Sequence, residues 1–232
     1  MKQMADQWWQ YPFQYASTRG GIRRFSAVSG YFAITFLIPH LFDDLAPMLL
    51  IPAGCAFLWL LYFLREPSDG RSLNEILELK RIASGQPGRV AIGLLSALVL
   101  SAAAAECTRR GLDFWGIPYQ KEQDLIRILK HSAMTEKIFI GVITSILAPA
   151  GEEIVFRKII YGWLKSTGTI SGVVLTSALF AVLHFHLAGV LALAIFGVVL
   201  QILFLKTRNL WCTIQVHMAF NLLTFIGAIR EA

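Results

Sequence analysis

The sequence predicts an all-α fold, a polytopic transmembrane bundle of about seven spans with short interfacial amphipathic helices. Composition is the first reason. Of 232 residues, 56% are hydrophobic and 16% charged, and the mean hydropathy is +0.58, whereas soluble domains carry about 25% charged residues. The second reason is run length. Residues 25–42 and 46–64 carry no formal charge, and each approaches the ~20 apolar residues that cross a bilayer as a helix. The third is the uncharged stretch 169–205. At ~1.5 Å per residue a straight helix of that length overshoots a ~30 Å hydrocarbon core, so the run must break into two.

In order, residues 1–24 hold Trp8, Trp9, Tyr11, Phe13 and Tyr15, then Arg19, Arg23 and Arg24. Aromatics followed by basic residues suit the lipid–water interface, and the segment shows none of the apolar core of a secretory signal. The first two spans follow, separated by Asp43 and Asp44. Ser72 and Glu75 form a capping box that opens an interfacial helix in the polar loop 65–89. Residues 90–107 make a third, alanine-rich span whose small side chains favour close helix packing, with Glu106 at its interfacial end. In the connection 108–137, Leu125, Ile126, Ile128 and Leu129 among charges predict a surface helix.

Residues 138–164 are the fourth span. Pro149 and Gly151 loosen it, and backbone groups freed at membrane depth must be met by protein or a water-filled cavity. Spans five and six divide near residues 186–189, and residues 209–229 form the seventh. The chain divides at residue 137 into an N-terminal part of three spans and a helical core, 138–232, both parts of one membrane unit. With the N-terminus inside, twelve basic residues fall on the inner side and seven on the outer, which favours that orientation. The net charge of +6 is then a property of loops and implies no nucleic-acid partner. Cys55, Cys107 and Cys212 lie in or beside apolar runs and have neither disulfide nor zinc spacing.

Three polar pairs interrupt the apolar C-terminal part. Glu152 and Glu153 precede Arg157, and ionisable groups at such a place are costly enough to point to function. Glu153 and Arg157 are four residues apart and can pair along one helix face. Glu152 lies about 100° further round, so it is left for other work. Phe180 and His184 share a face of the fifth span, and His217 and Asn221 share a face of the seventh. One carboxylate, two imidazoles, an amide and an arginine thereby converge on one bundle. His186 points away from His184, and His40 has no partner in sequence.

The ordered set Glu152-Glu153-x-x-x-Arg157, Phe180-x-x-x-His184 and His217-x-x-x-Asn221 resembles the three motifs of the CAAX-protease and bacteriocin-processing (CPBP, or Abi) family of glutamic-type intramembrane proteases. Phe196-Gly197 and the stretch through Leu205, Lys206 and Arg208 to Trp211 are also similar. The resemblance covers residues 138–229. It implies that Glu152 and His184 activate a water, that His217 and Asn221 hold the oxyanion, and that no metal or cofactor takes part. Glu153, Arg157 and Phe180 are expected to support them.

The implied partners are the bilayer and a membrane-associated or lipidated peptide, and the expected location is a bacterial inner membrane. Zinc catalysis ranks lower, because no His-Glu-x-x-His motif is present and the donors lie on three helices. A non-catalytic immunity or partner-binding protein is the alternative function. A proton-relaying transporter is third, lowered by the lack of inverted-repeat symmetry.

Overall fold

A computed structural model describes residues 26, 28–31, 79, 83–119 and 124–232, and helices carry nearly all of them. The expected interfacial segment 1–24, the span 46–64, most of the span 25–42, the capping box at Ser72, Cys55 and His40 lie outside the described residues.

Helix α1, Gln86–Phe114, opens after Gly85, whose positive φ of 85° suits a residue without a side chain. It is longer than the expected third span at both ends. Gly93, Ala97, Ser101 and Ala104 are its buried face, recurring at three- and four-residue intervals. They let α1 lie close against α5, Val190–Thr207. A Cβ on Gly93 would stand 3.1 Å from Leu203 Cδ2, and the Ser101 hydroxyl donates to the Ala192 carbonyl at 3.2 Å. Glu106 is about half-exposed and pairs with Arg109 and Arg110 at 2.8 and 2.7 Å.

The expected surface helix is α2, Asp124–Lys130. It is less superficial than its charges suggest, because Ile126 and Leu129 are buried against Ile140, Phe225 and Ala228 in a small second core.

Helix α3 runs from Met134 to Thr167 and is widened twice into π-helix, at Ile143–Leu147 and at Ile154–Ile160. The first widening follows from Pro149. In the i→i+5 pattern the Ile143 carbonyl accepts from the Ala148 N–H. The next carbonyl, Thr144 O, would need an N–H from residue 149, and proline has none. Asn221 supplies it from the side, Nδ2 donating to Thr144 O at 2.8 Å. The backbone group freed at membrane depth is therefore met by protein.

Helix α4, Thr169–Val182, starts at Gly168, with φ 117°. A turn follows, with Phe185 at a positive φ of 49°, then a short 3₁₀ segment, Leu187–Gly189, and α5. The expected break is present. However, α4 has 14 residues, about 21 Å at ~1.5 Å each, so it is too short to cross the hydrocarbon core. The α4–α5 turn carries exposed apolar side chains, Phe185 and Leu187.

Helices α4 and α5 touch backbone to backbone at Gly197, where a Cβ would meet Ser177 Cβ at 3.0 Å. Asn209 caps α6, Leu210–Glu231, its Oδ1 accepting from Trp211 N at 3.2 Å. Among the described residues, α1, α3, α5 with its 3₁₀ lead-in, and α6 are long and apolar enough to span a membrane. A polytopic helical bundle is the architecture.

Tyr31, from the short helical piece 28–31, enters the main core beside Ile154 and Val155. Its ring sits over Gly151, where a Cβ would meet Tyr31 Cε2 and Oη at 2.9 Å. Gly162, on the same helix, meets nothing within 4 Å among the described residues. Gly162→Ala should therefore stabilise the protein by up to about 1 kcal/mol through helix propensity. Gly151→Ala should cost about 1–3 kcal/mol by overpacking. Thermal unfolding of both variants in detergent checks the opposite signs.

Candidate active site

Four helices meet at the middle of α3. The two adjacent carboxylates diverge as the helical angle requires. The Glu153 side chain is wholly buried and faces Arg157, also wholly buried, in a two-pronged pair. Arg157 Nε donates to Glu153 Oε2 at 3.0 Å, and Nη2 donates to Oε1 at 3.4 Å. The third guanidinium nitrogen, Nη1, donates to the Gly197 carbonyl at 3.1 Å and to Gln201 Oε1 at 3.4 Å. A buried cation is tolerable only when it is paired and its donors are met, and here all three nitrogens are engaged.

Glu153 also binds the α6 histidine. His217 Nδ1 lies 3.0 Å from Glu153 Oε1. A carboxylate held by arginine accepts hydrogen bonds, so this contact assigns a proton to Nδ1 and fixes the ring plane. The Nε2 edge then faces Glu152 Oε2 at 3.7 Å. His184 approaches the same oxygen, its Nε2 at 3.9 Å. His184 is oriented from behind, with Nδ1 2.6 Å from the Phe180 carbonyl. That contact gives Nδ1 the proton and leaves a lone pair on Nε2 in the neutral ring. Glu152 Oε2 itself is buried and has no hydrogen-bond partner among the described residues.

Aromatic rings form the floor. Phe180 is fully buried, 4.5 Å from the His184 ring and 5.9 Å from the His217 ring, centroid to centroid. Phe196 stands edge-on to His217 at 4.9 Å, and Phe156 edge-on to Phe180 at 5.0 Å. The Arg157 guanidinium lies 5.7 Å over the Phe180 ring, a favourable cation–π placement. These rings exclude water from behind the imidazoles. Access comes from the other side, since Glu152 and His184 keep 19% and 30% of their side-chain surface while His217 keeps 3%.

Each residue of the three motifs thus has a place. Glu152, His184 and His217 converge on one carboxylate oxygen, with Glu153, Arg157 and Phe180 behind them. Asn221 also borders α3, but one of its two amide hydrogens is committed to Thr144 O. His186 packs over Gly189. Sequence reasoning missed the Glu153–His217 bond and the part of Gln201, a fully buried amide. A lone glutamine in a long apolar run was the available signal. Among the described residues no group of three or more His, Cys, Asp or Glu side chains is arranged to hold a metal ion.

Residues 134–223, less than half of the chain, match the family model described as type II CAAX prenyl endopeptidase Rce1-like. Among curated proteins, the chain is similar to YdiL of Bacillus subtilis (strain 168), described as a candidate membrane peptidase. They are 33% identical over 86 residues, which are 37% of this chain and 34% of that protein. The chain thus spans about a third of the length of the relative it matches. No solved structure matches it.

The Arg157–Glu153 pair should be the costliest polar contact to break. Arg157→Met leaves the Glu153 carboxylate buried with its cation gone, and removing one partner of such a pair costs about 3–5 kcal/mol. The double replacement Glu153→Leu with Arg157→Met should recover much of that loss. Unfolding of the single and double variants in detergent measures both.

Proposed function

We propose that this protein is an intramembrane endopeptidase of the CAAX-protease type. It would hydrolyse a peptide bond in a membrane-associated or lipidated protein by a glutamic, metal-independent route. The observation that carries this reading is the unpartnered Glu152 oxygen between two imidazole Nε2 atoms. A buried acceptor left without a bond costs about 1–3 kcal/mol. Such a cost persists where the group has work to do on a substrate.

The chemistry follows from the hydrogen-bond roles. A water bound at Glu152 gives its proton to the carboxylate, while the His184 Nε2 lone pair orients its other hydrogen. The water oxygen adds to the substrate carbonyl carbon. Negative charge then grows on the carbonyl oxygen, where preorganised donors matter most. His217 Nε2 donates there in the doubly protonated ring, whose charge faces Glu153. The second amide hydrogen of Asn221 completes the pair of donors. As the tetrahedral species collapses, the C–N bond breaks and the proton on Glu152 passes to the leaving amine. Glu153 and Arg157 touch no substrate in this scheme.

The membrane setting supports the substrate class. The partly exposed edge of the site lies beside Phe185 and Leu187, which are 76% and 52% exposed. Apolar surface next to a buried carboxylate suits a peptide presented by a lipid anchor or a hydrophobic segment.

Purified protein in liposomes is tested with prenylated and unmodified membrane-tethered peptides, and products are read by mass spectrometry. Glu152→Gln and His184→Ala should each insert and fold normally but lose at least ~10²-fold in cleavage rate. A chelator such as 1,10-phenanthroline should leave the wild-type rate unchanged. Full cleavage by purified Glu152→Gln would refute the glutamic assignment.

A further inference from the structure

We propose that Gln201 is a positioning residue: with the Gly197 carbonyl it fixes the outer edge of Arg157, and through Glu153 it sets the orientation of His217. The inference rests on the peptidase reading only in that His217 is taken to face substrate. The chain of contacts itself is geometric.

Arginine carries donors and no acceptor, so the Gln201 amide must turn its oxygen, Oε1, toward Arg157 Nη1, 3.4 Å away. Gln201 Nε2 is thereby turned elsewhere and has no partner among the described residues, although the side chain is fully buried. A glutamine that leaves its own N–H donors unmet inside an apolar helix is destabilising by itself. Any hydrophobe of similar volume would pack there without that cost. What the glutamine adds is an acceptor on the face of Arg157 that Glu153 does not cover.

The planar guanidinium makes this matter. Its Nε and Nη2 edge is taken by Glu153, so the in-plane direction of Nη1 determines how the whole fork can rotate. Two acceptors on α5, one turn apart at residues 197 and 201, hold Nη1 from two directions. Gly197 also lets α5 sit against Ser177 closely enough to bring its carbonyl to Arg157. With the fork fixed, Glu153 Oε1 presents a fixed acceptor to His217 Nδ1 at 3.0 Å. The Nε2 edge of that ring is then aimed at Glu152 Oε2. Contacts behind an imidazole set its orientation; at metal-ligating histidines their loss lowers affinity or activity by about 10- to 100-fold, and the same scale is expected here.

The test reads the ring of His217 directly, without needing a substrate. The chain contains five histidines, so ring ¹⁵N signals in detergent-solubilised, histidine-labelled protein are few, and His217→Gln assigns the signal of interest. Gln201→Met removes the acceptor at nearly constant volume, and Gln201→Asn withdraws it by one methylene. Either variant, folded, should shift the His217 ring signals in the direction that Glu153→Gln shifts them. Ser177→Ala, at the same α4–α5 contact, should leave them in place.

In the liposome assay the same Gln201 variants should lower kcat by about 10- to 100-fold with little change in KM. Wild-type His217 signals in folded Gln201→Met or Gln201→Asn would overturn the proposal. So would equal shifts in Ser177→Ala, or failure of both Gln201 variants to fold, which would make Gln201 a folding residue. Loss of the peptidase reading would show instead as cleavage by Glu152→Gln, with the ¹⁵N result unaffected.

Discussion

The ion pair between Arg157 and Glu153 is the constraint around which the rest of the bundle is arranged. Neither side chain has solvent to fall back on, and an isolated charge at such a place would be costly by several kcal/mol. Pairing alone leaves one guanidinium nitrogen and one carboxylate oxygen with spare capacity. The nitrogen is met by α5, through Gly197 and Gln201, and the oxygen by α6, through His217. Three helices are thus held in register by one neutralised pair. The ring over which the cation lies, Phe180, belongs to a fourth.

The second organising feature is the widened turn of α3. A proline in an otherwise continuous helix removes one donor and spreads the turn before it. The freed carbonyl becomes a docking point for Asn221 on α6, so a local defect turns into a tertiary contact. The widening ends about one turn before Glu152 and Glu153, and a second π segment follows them directly. Between the two, a short α-helical stretch carries both carboxylates, and the 100° step sends one to the ion pair and the other to the histidines. Asn221 therefore has a structural task beside the catalytic one proposed for it.

Much of this was legible in the sequence because membrane burial makes charge conspicuous. The segregation of Glu152 from Glu153 follows from helical angle alone, and the break between α4 and α5 follows from bilayer thickness. The i,i+4 spacing of Phe180 and His184 correctly put a ring behind an imidazole. Contacts between segments distant in sequence were not legible. Glu153 to His217 spans 64 positions and Arg157 to Gln201 spans 44, and periodicity within one helix carries no register between helices. The shortness of α4 was hidden as well, since residues 183–186 continue the run without a formal charge, glycine or proline to mark the helix end. The covered face of α2 was missed because its neighbours, Phe225 and Ala228, lie a hundred residues away.

The central claim is that Glu152 performs proteolysis at membrane depth. The most direct measurement compares cells expressing the wild-type protein with cells expressing Glu152→Gln at matched levels, cataloguing the N- and C-termini of membrane and secreted proteins by mass spectrometry. The account predicts a set of termini present with the wild type alone, clustered in membrane-associated or lipidated proteins. Identical catalogues, with any cellular phenotype retained by the variant, would contradict it and leave partner binding as the function of this bundle.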